Sequence, residues 1–190
     1  MAGNASVASV AGPGQAPPRD LPGFRDLHAG ETLVVCGCGA SLRDFRPPKN
    51  LITIGVNDVG RLFDPTYLVV LNSRQQFSGD RFRYVEQSRA QAIFTQLDLG
   101  IRHPHTVRFR LGRYGGTDFP NPEVLHYTRN SPYLALCLAV HMGAKKIGLI
   151  GVDFTENHFY AETGPHPLAS RLARIDQEYS ALAKVCQALG

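Results

Sequence analysis

The chain alternates between short, continuously apolar runs and polar connections rich in glycine, proline or charge. LVVC (33–36), NLITIGVN (50–57), TYLVVLN (66–72), AQAIFTQ (90–96) and KKIGLIGVDF (145–154) are the apolar runs. Each is too short for an ordinary helix and lacks the apolar–polar alternation of a half-exposed strand, so each reads as a strand buried on both faces, as in a parallel sheet. Helical signals fall between them. Residues 40–45 suit a short helix after a glycine turn, 80–88 a polar helix, and 58–64 only a short connection. Ser131-Pro132 reads as an N-cap followed by proline at the first helical position. The YLALCLAVHMGA that follows is apolar around nearly its whole circumference, which predicts a buried central helix closed by Gly143. LASRLARIDQEYSALAKVCQALG (168–190) is a closing amphipathic helix. Strands alternating with helices imply an α/β fold, Rossmann-like, three-layered and built on a mostly parallel sheet.

Two stretches break the alternation. Residues 1–23 are mainly Ala, Gly, Pro and Ser, too poor in large apolar side chains to offset the entropy of ordering, and are expected to form a flexible arm ahead of a domain at 24–190. Residues 100–129, rich in Gly, Pro, His and Arg, predict an insertion, a lid or a small antiparallel piece. The chain stops just after ALG, where another strand would be due, which leaves open a C-terminal segment that completes the domain.

At 190 residues the chain suffices for one such domain. A net charge of +4 from dispersed arginines favours anionic ligands but gives no clustered nucleic-acid footprint. The arm lacks the charged start and apolar core of a secretory signal, and no apolar run reaches the ~18 residues of a membrane span. A cytoplasmic protein is expected, with peripheral membrane association and homo-oligomers left open. Cys36, Cys38, Cys137 and Cys186 do not form a secreted disulfide framework, so reduced thiols are expected. Cys36-x-Cys38 lacks the companion Cys or His pair of a zinc site, so no metal is assigned.

The candidate chemistry starts at VVCGCGASLR (34–43), a strand running into Gly-x-Gly and a serine. Such turns present backbone N–H groups to phosphates, although a tight turn packing a helix against the sheet, with no ligand, would look the same. A dinucleotide fingerprint would need a third glycine where Leu42 stands and an acidic residue where the second strand ends in Asn57. The Gly-Lys-Ser/Thr of a P-loop is absent. Asn57, Asn72 and Asp153 each end an apolar strand, and the carboxyl ends of strands face the ligand crevice in open α/β sheets. Ser131 opens the buried helix, where free N–H groups favour an anion. With Gly37, Gly39 and Ser41 these residues outline one polar rim. Asparagine suits an anionic ligand because an amide donates hydrogen bonds without repelling it. The loop ENHFYAETGPHPLASR adds His158, Tyr160, His166 and Arg171, either histidine being a candidate base and the tyrosine a phosphate donor. Arg129 precedes the buried helix as a further cation. His103 and His105 flank a proline and read as loop residues.

The order of these motifs resembles the Rossmann-type bacterial sialyltransferases and the related motility-associated-factor glycosyltransferases that transfer nonulosonic acids. The resemblance rests on Gly37-Cys38-Gly39-Ala40-Ser41-Leu42, the strand ending at Asn57, Arg129-Asn130-Ser131-Pro132-Tyr133, Met142-Gly143-Ala144-Lys145-Lys146-Ile147 and Gly151-Val152-Asp153-Phe154. It departs at Ala40, where those families carry proline, and at Asn72, where they often carry aspartate. It implies a CMP-linked acidic sugar bound at the strand ends and transferred to a glycan or protein acceptor. Gly37, Gly39 and Ser41 would then lie near phosphate or ribose, Asn57 and Asn72 near ribose, base or sugar, Ser131 near base or phosphate, Arg129 near the acidic sugar or acceptor, and Tyr160 near the phosphate. Asp153 would orient the nucleotide or a loop. No Asp-x-Asp occurs, and a CMP donor leaves as a monophosphate without a bridging metal, so no cofactor beyond the donor is implied. Two alternatives remain at this level: an ATP-dependent 6-hydroxymethylpterin diphosphokinase-like enzyme, and a non-catalytic nucleotide-binding module of a larger surface-polysaccharide protein.

Overall fold

The computed structural model of the chain describes residues 17–155, 157–164 and 167–189. Six strands, β1 (Thr32–Cys36), β2 (Ile52–Val56), β3 (Tyr67–Val69), β4 (Ala92–Thr95), β5 (Thr106–Arg108) and, later in the chain, β8 (Lys146–Ile150), form one sheet in the order β5-β4-β3-β2-β1-β8. Every pairing in it is parallel. The fold is α/β and Rossmann-like, as the apolar runs predict.

Side chains alternate between two cores. Leu33, Val35, Ile54, Val56, Tyr67, Val69, Ala92 and Phe94 enter the core that also holds α2 (Ser131–His141). Cys36, Leu68, Val70 and Ile93 enter the opposite one. Both sets are buried because a parallel sheet is covered on both faces. On the α2 side, Phe24, Tyr67 and Phe94 meet edge to face with centroids 4.9–5.9 Å apart, and α3 (Leu172–Leu189) adds Leu182.

The opposite layer is thinner than expected. In place of a helix at 40–45 there is one 3-10 turn, Ala40–Leu42. Leu42 is fully buried, and the Arg46-Pro47-Pro48 that follows opposes helical backbone. The expected helix at 80–88 contracts to α1 (Arg83–Glu86), since only Phe82 and Val85 of that stretch are buried and so short an apolar stripe supports little helix. Turns and the hairpin of β9 (Asn157–His158) and β10 (Ala161–Glu162) complete this layer.

The stretch at 100–129 also departs from expectation. Its first strand, β5, extends the main sheet, and β6 (Arg110–Tyr114) pairs with β7 (Val124–Tyr127) in parallel rather than antiparallel fashion. The buried Phe109 marks the place where the chain leaves one sheet for the other. The packed domain also begins before residue 24. Leu21 is 1% exposed, and its carbonyl accepts a 2.8 Å hydrogen bond from Nε2 of His141 on α2. The first 16 residues of the expected arm lie outside the described ones. Among the described residues no helix is long and apolar enough to cross a membrane.

Burial lowers the pKa of His141 from its ordinary value, against the opposing pull of the Leu21 carbonyl. A histidine held neutral in the fold contributes stability at pH above its unfolded value of about 6.5, and that stability is lost as the pH falls below it. His141→Gln keeps a donor for Leu21 without the titration. Urea midpoints of wild type and variant are expected to converge as the pH drops from 8 to 5.5, and parallel curves would contradict the assignment.

Candidate functional site

From β1 the chain lays β2 to β5 successively to one side, then returns through α2 and places β8 on the other side of β1. The carboxyl ends of β1 and β8 therefore flank the point where strand order reverses, the place at which open α/β sheets present a crevice. A cleft of about 420 Å³ opens there, within the size range of small-ligand sites.

Its floor is the contact between the loops after β1 and β8. The Gly37 N–H donates to the Ile150 carbonyl at 2.8 Å and the Gly39 N–H to the Gly151 carbonyl at 2.7 Å. A Cβ on Gly37 would stand 2.2 Å from the Gly151 oxygen, and one on Gly39 2.5 Å from Oδ2 of Asp153, so both glycines are demanded by the neighbouring loop. Gly151 has φ +69°, and a Cβ there would meet the Gly37 oxygen. Ser41 closes the contact: its N–H and Oγ–H donate to the two carboxylate oxygens of Asp153 at 2.7 and 2.5 Å, while its Oγ accepts from the Gly151 N–H at 2.9 Å. The N–H groups of Gly37, Gly39 and Ser41 are thus spent within the protein. Of these three residues only Gly39 lines the cleft.

The walls bring together most of the other expected residues. Asn57, Asn72, Arg129, Ser131, Asp153 and His158 all line the cleft, from separate segments of the chain. Asn57 takes φ 52°, a left-handed conformation that asparagine tolerates better than most side chains, and its Oδ1 is buried with no hydrogen-bond partner among the described residues. Asn130, not Ser131, is the N-cap of α2, and its amide donates to the Tyr179 hydroxyl at 3.0 Å. Ser131 and Pro132 form the first helical positions, at the cleft. The β9–β10 hairpin is fastened to the β1 loop by the Gly39–His158 bridge and by the Phe159 N–H on the Cys38 carbonyl at 3.0 Å. His158 Nδ1 is 2.6 Å from Thr163 Oγ1, which orients the ring.

Tyr160 does not line the cleft. Its ring lies against Arg61, 4.3 Å from guanidinium carbon to centroid, and burial raises its pKa. His166 is outside the described residues.

Sequence reading missed Arg81. It lines the cleft, and its Nε and Nη2 donate to the two oxygens of Asp58 at 2.9 and 2.6 Å. Asp58 is fully buried and the Arg81 side chain 20% exposed. Nothing in the local sequence marks this pair, whose members lie 23 residues apart. The four cysteines are free, and burial pushes the Cys36 thiol up to about 12 and Cys38 well above its usual value, so neither is a ready thiolate. Among the described residues no group of three His, Cys, Asp or Glu side chains is gathered to hold a metal.

No protein-family model, curated protein or solved structure matches the chain.

Because the glycine contacts involve neighbouring backbone and a hydrogen-bonded carboxylate, relief would require moving both loops. Gly39→Ala is expected to lower the free energy of unfolding by about 1–3 kcal/mol in chemical denaturation. An unchanged midpoint would show that the loops yield freely.

Proposed function

We propose that this cleft binds the nucleotide of an activated sugar, a CMP-linked acidic sugar, and that the protein transfers the sugar to a glycan or protein acceptor without a divalent metal. The observation that carries the reading is the convergence of Asn57, Asn72, Arg129, Ser131, Asp153 and His158 on one cleft at the strand-order reversal. These groups suit a polar, anionic guest. The amides offer donors to ribose, base or phosphate, Arg129 offers a cation, and the opening turn of α2 brings the positive end of a buried helix.

The carboxylates favour this reading over a magnesium-dependent pyrophosphate transfer. Asp153 is occupied by Ser41 through both oxygens, and Asp58 by Arg81. Asp153 is the only carboxylate among the described residues that line the cleft, and Asp58 is buried against Arg81, so no pair of carboxylates is presented to a Mg²⁺–ATP. A monophosphate leaving group needs charge neutralisation by protein donors instead. His158, in the cleft wall and oriented through Nδ1, is the base assigned to the acceptor hydroxyl. Asp153 acts by holding the two loops together. The cytoplasm, where activated sugars are consumed by many transferases, is the compartment this reading implies.

CMP is expected to raise the melting temperature with EDTA present, and ATP with magnesium to have a smaller effect. The reverse order would favour the diphosphokinase. Asn57→Asp sets a carboxylate beside the anion and is expected to weaken CMP at least tenfold, about 1.4 kcal/mol, by calorimetric titration. Unchanged affinity would remove Asn57 from the site.

A further inference from the structure

The Asp58–Arg81 pair is an expensive feature to place at the edge of a core. Buried ion pairs contribute little net stability relative to apolar packing, because desolvation opposes the Coulombic gain. Here one partner is fully buried and the other reaches the cleft.

The geometry leaves part of the arginine available. Guanidinium has five N–H donors, and Asp58 takes one from Nε and one from Nη2. The rings of Phe77 and Tyr160 stand 5.7 and 5.8 Å from its central carbon, adding aromatic contact to the carboxylate clamp. The donors not directed at Asp58 are the second of Nη2 and the two of Nη1, a fork suited to the oxygens of a phosphate. The clamp removes the rotamer freedom that an unrestrained arginine would lose on binding. In the adjoining loop contact the N–H groups of Gly37, Gly39 and Ser41 are already bonded within the protein.

We propose that Arg81 is the phosphate seat of the cleft and Asp58 the positioning residue that aims it, with the donor's phosphate oxygens accepting from the outer guanidinium edge. The role of the Gly-x-Gly turn passes from holding the anion to locking the two loops. The identity of the ligand as a CMP-sugar rests on the reading above, whereas the seat itself requires only a phosphate.

The test compares cytidine with CMP, alongside AMP and inorganic phosphate, on the full chain by calorimetric titration. The ratio of the cytidine Kd to the CMP Kd measures what the phosphate adds. It is expected to be at least about tenfold in wild type, consistent with a charge-assisted contact, and to fall to within about twofold in Asp58→Asn/Arg81→Gln, with cytidine affinity retained. That double change avoids stranding a buried carboxylate, and circular dichroism checks its fold. Arg81→Lys, which keeps a cation beside Asp58, is expected to lose most of the ratio; it decides the matter where the double variant does not fold. A ratio that survives in the folded variants, or a parallel loss of cytidine and CMP, overturns the seat and leaves the CMP reading standing. Binding of AMP or inorganic phosphate without CMP, abolished by these changes, upholds the seat and defeats the CMP reading. Failure of all four probes to bind wild type defeats both.

Discussion

The contact between the β1 and β8 loops is the constraint on which the site depends. Two adjacent parallel strands end side by side, and their loops approach so closely that Gly37, Gly39 and Gly151 have no room for a Cβ. Ser41 and Asp153 then tie the loops by two hydrogen bonds, with a third from the Gly151 amide. Loops at a strand-order reversal ordinarily diverge, because the chain leaves one strand to one side of the sheet and the other to the opposite side. Closing them gives the cleft a rigid floor and fixes the hairpin that carries His158 against Gly39.

This floor also redistributes the chemistry. A glycine loop whose N–H groups are consumed by its neighbour cannot cradle a phosphate with those same donors. Under the proposed reading the donors would come from the walls: strand-end amides, the start of α2 and the arginines. Arg129 lies at the solvent-exposed side of the cleft, whereas Arg81 is anchored from behind by Asp58. An anion entering such a site would meet donors already oriented, which lowers the reorganisation needed to stabilise charge.

The two faces of the sheet divide the labour. One is covered by α2 and α3 over a large aromatic and aliphatic core, with Leu21 and Phe24 sealing it. The other is covered by single turns, the short α1 and the hairpin, and its core holds Cys36, Leu42, Phe77, Phe82, Val85 and Phe159. Phe77, Phe82 and Phe159 are nearly fully buried, so short turns without helical continuity are still held by apolar burial.

The sequence by itself determined the sheet, the buried helix and the strand-end residues. Continuous apolar runs such as 66–72 can be satisfied only by burial on both faces, and the apolar circumference of α2 leaves it no exposed side. Asn57, Asn72, Ser131 and Asp153 were legible because their places at strand and helix ends follow from those periodicities. What the glycine turn does was not legible, since Gly-x-Gly reads the same whether the close neighbour is a ligand or another loop. Only the tertiary structure decided that Gly151 fills that space, that β5 joins the main sheet, that Tyr160 packs on Arg61 outside the cleft, and that Asp58 clamps Arg81 across 23 residues. These are pairings between segments distant in the chain. Local propensity and periodicity carry no information about which partners folding brings together.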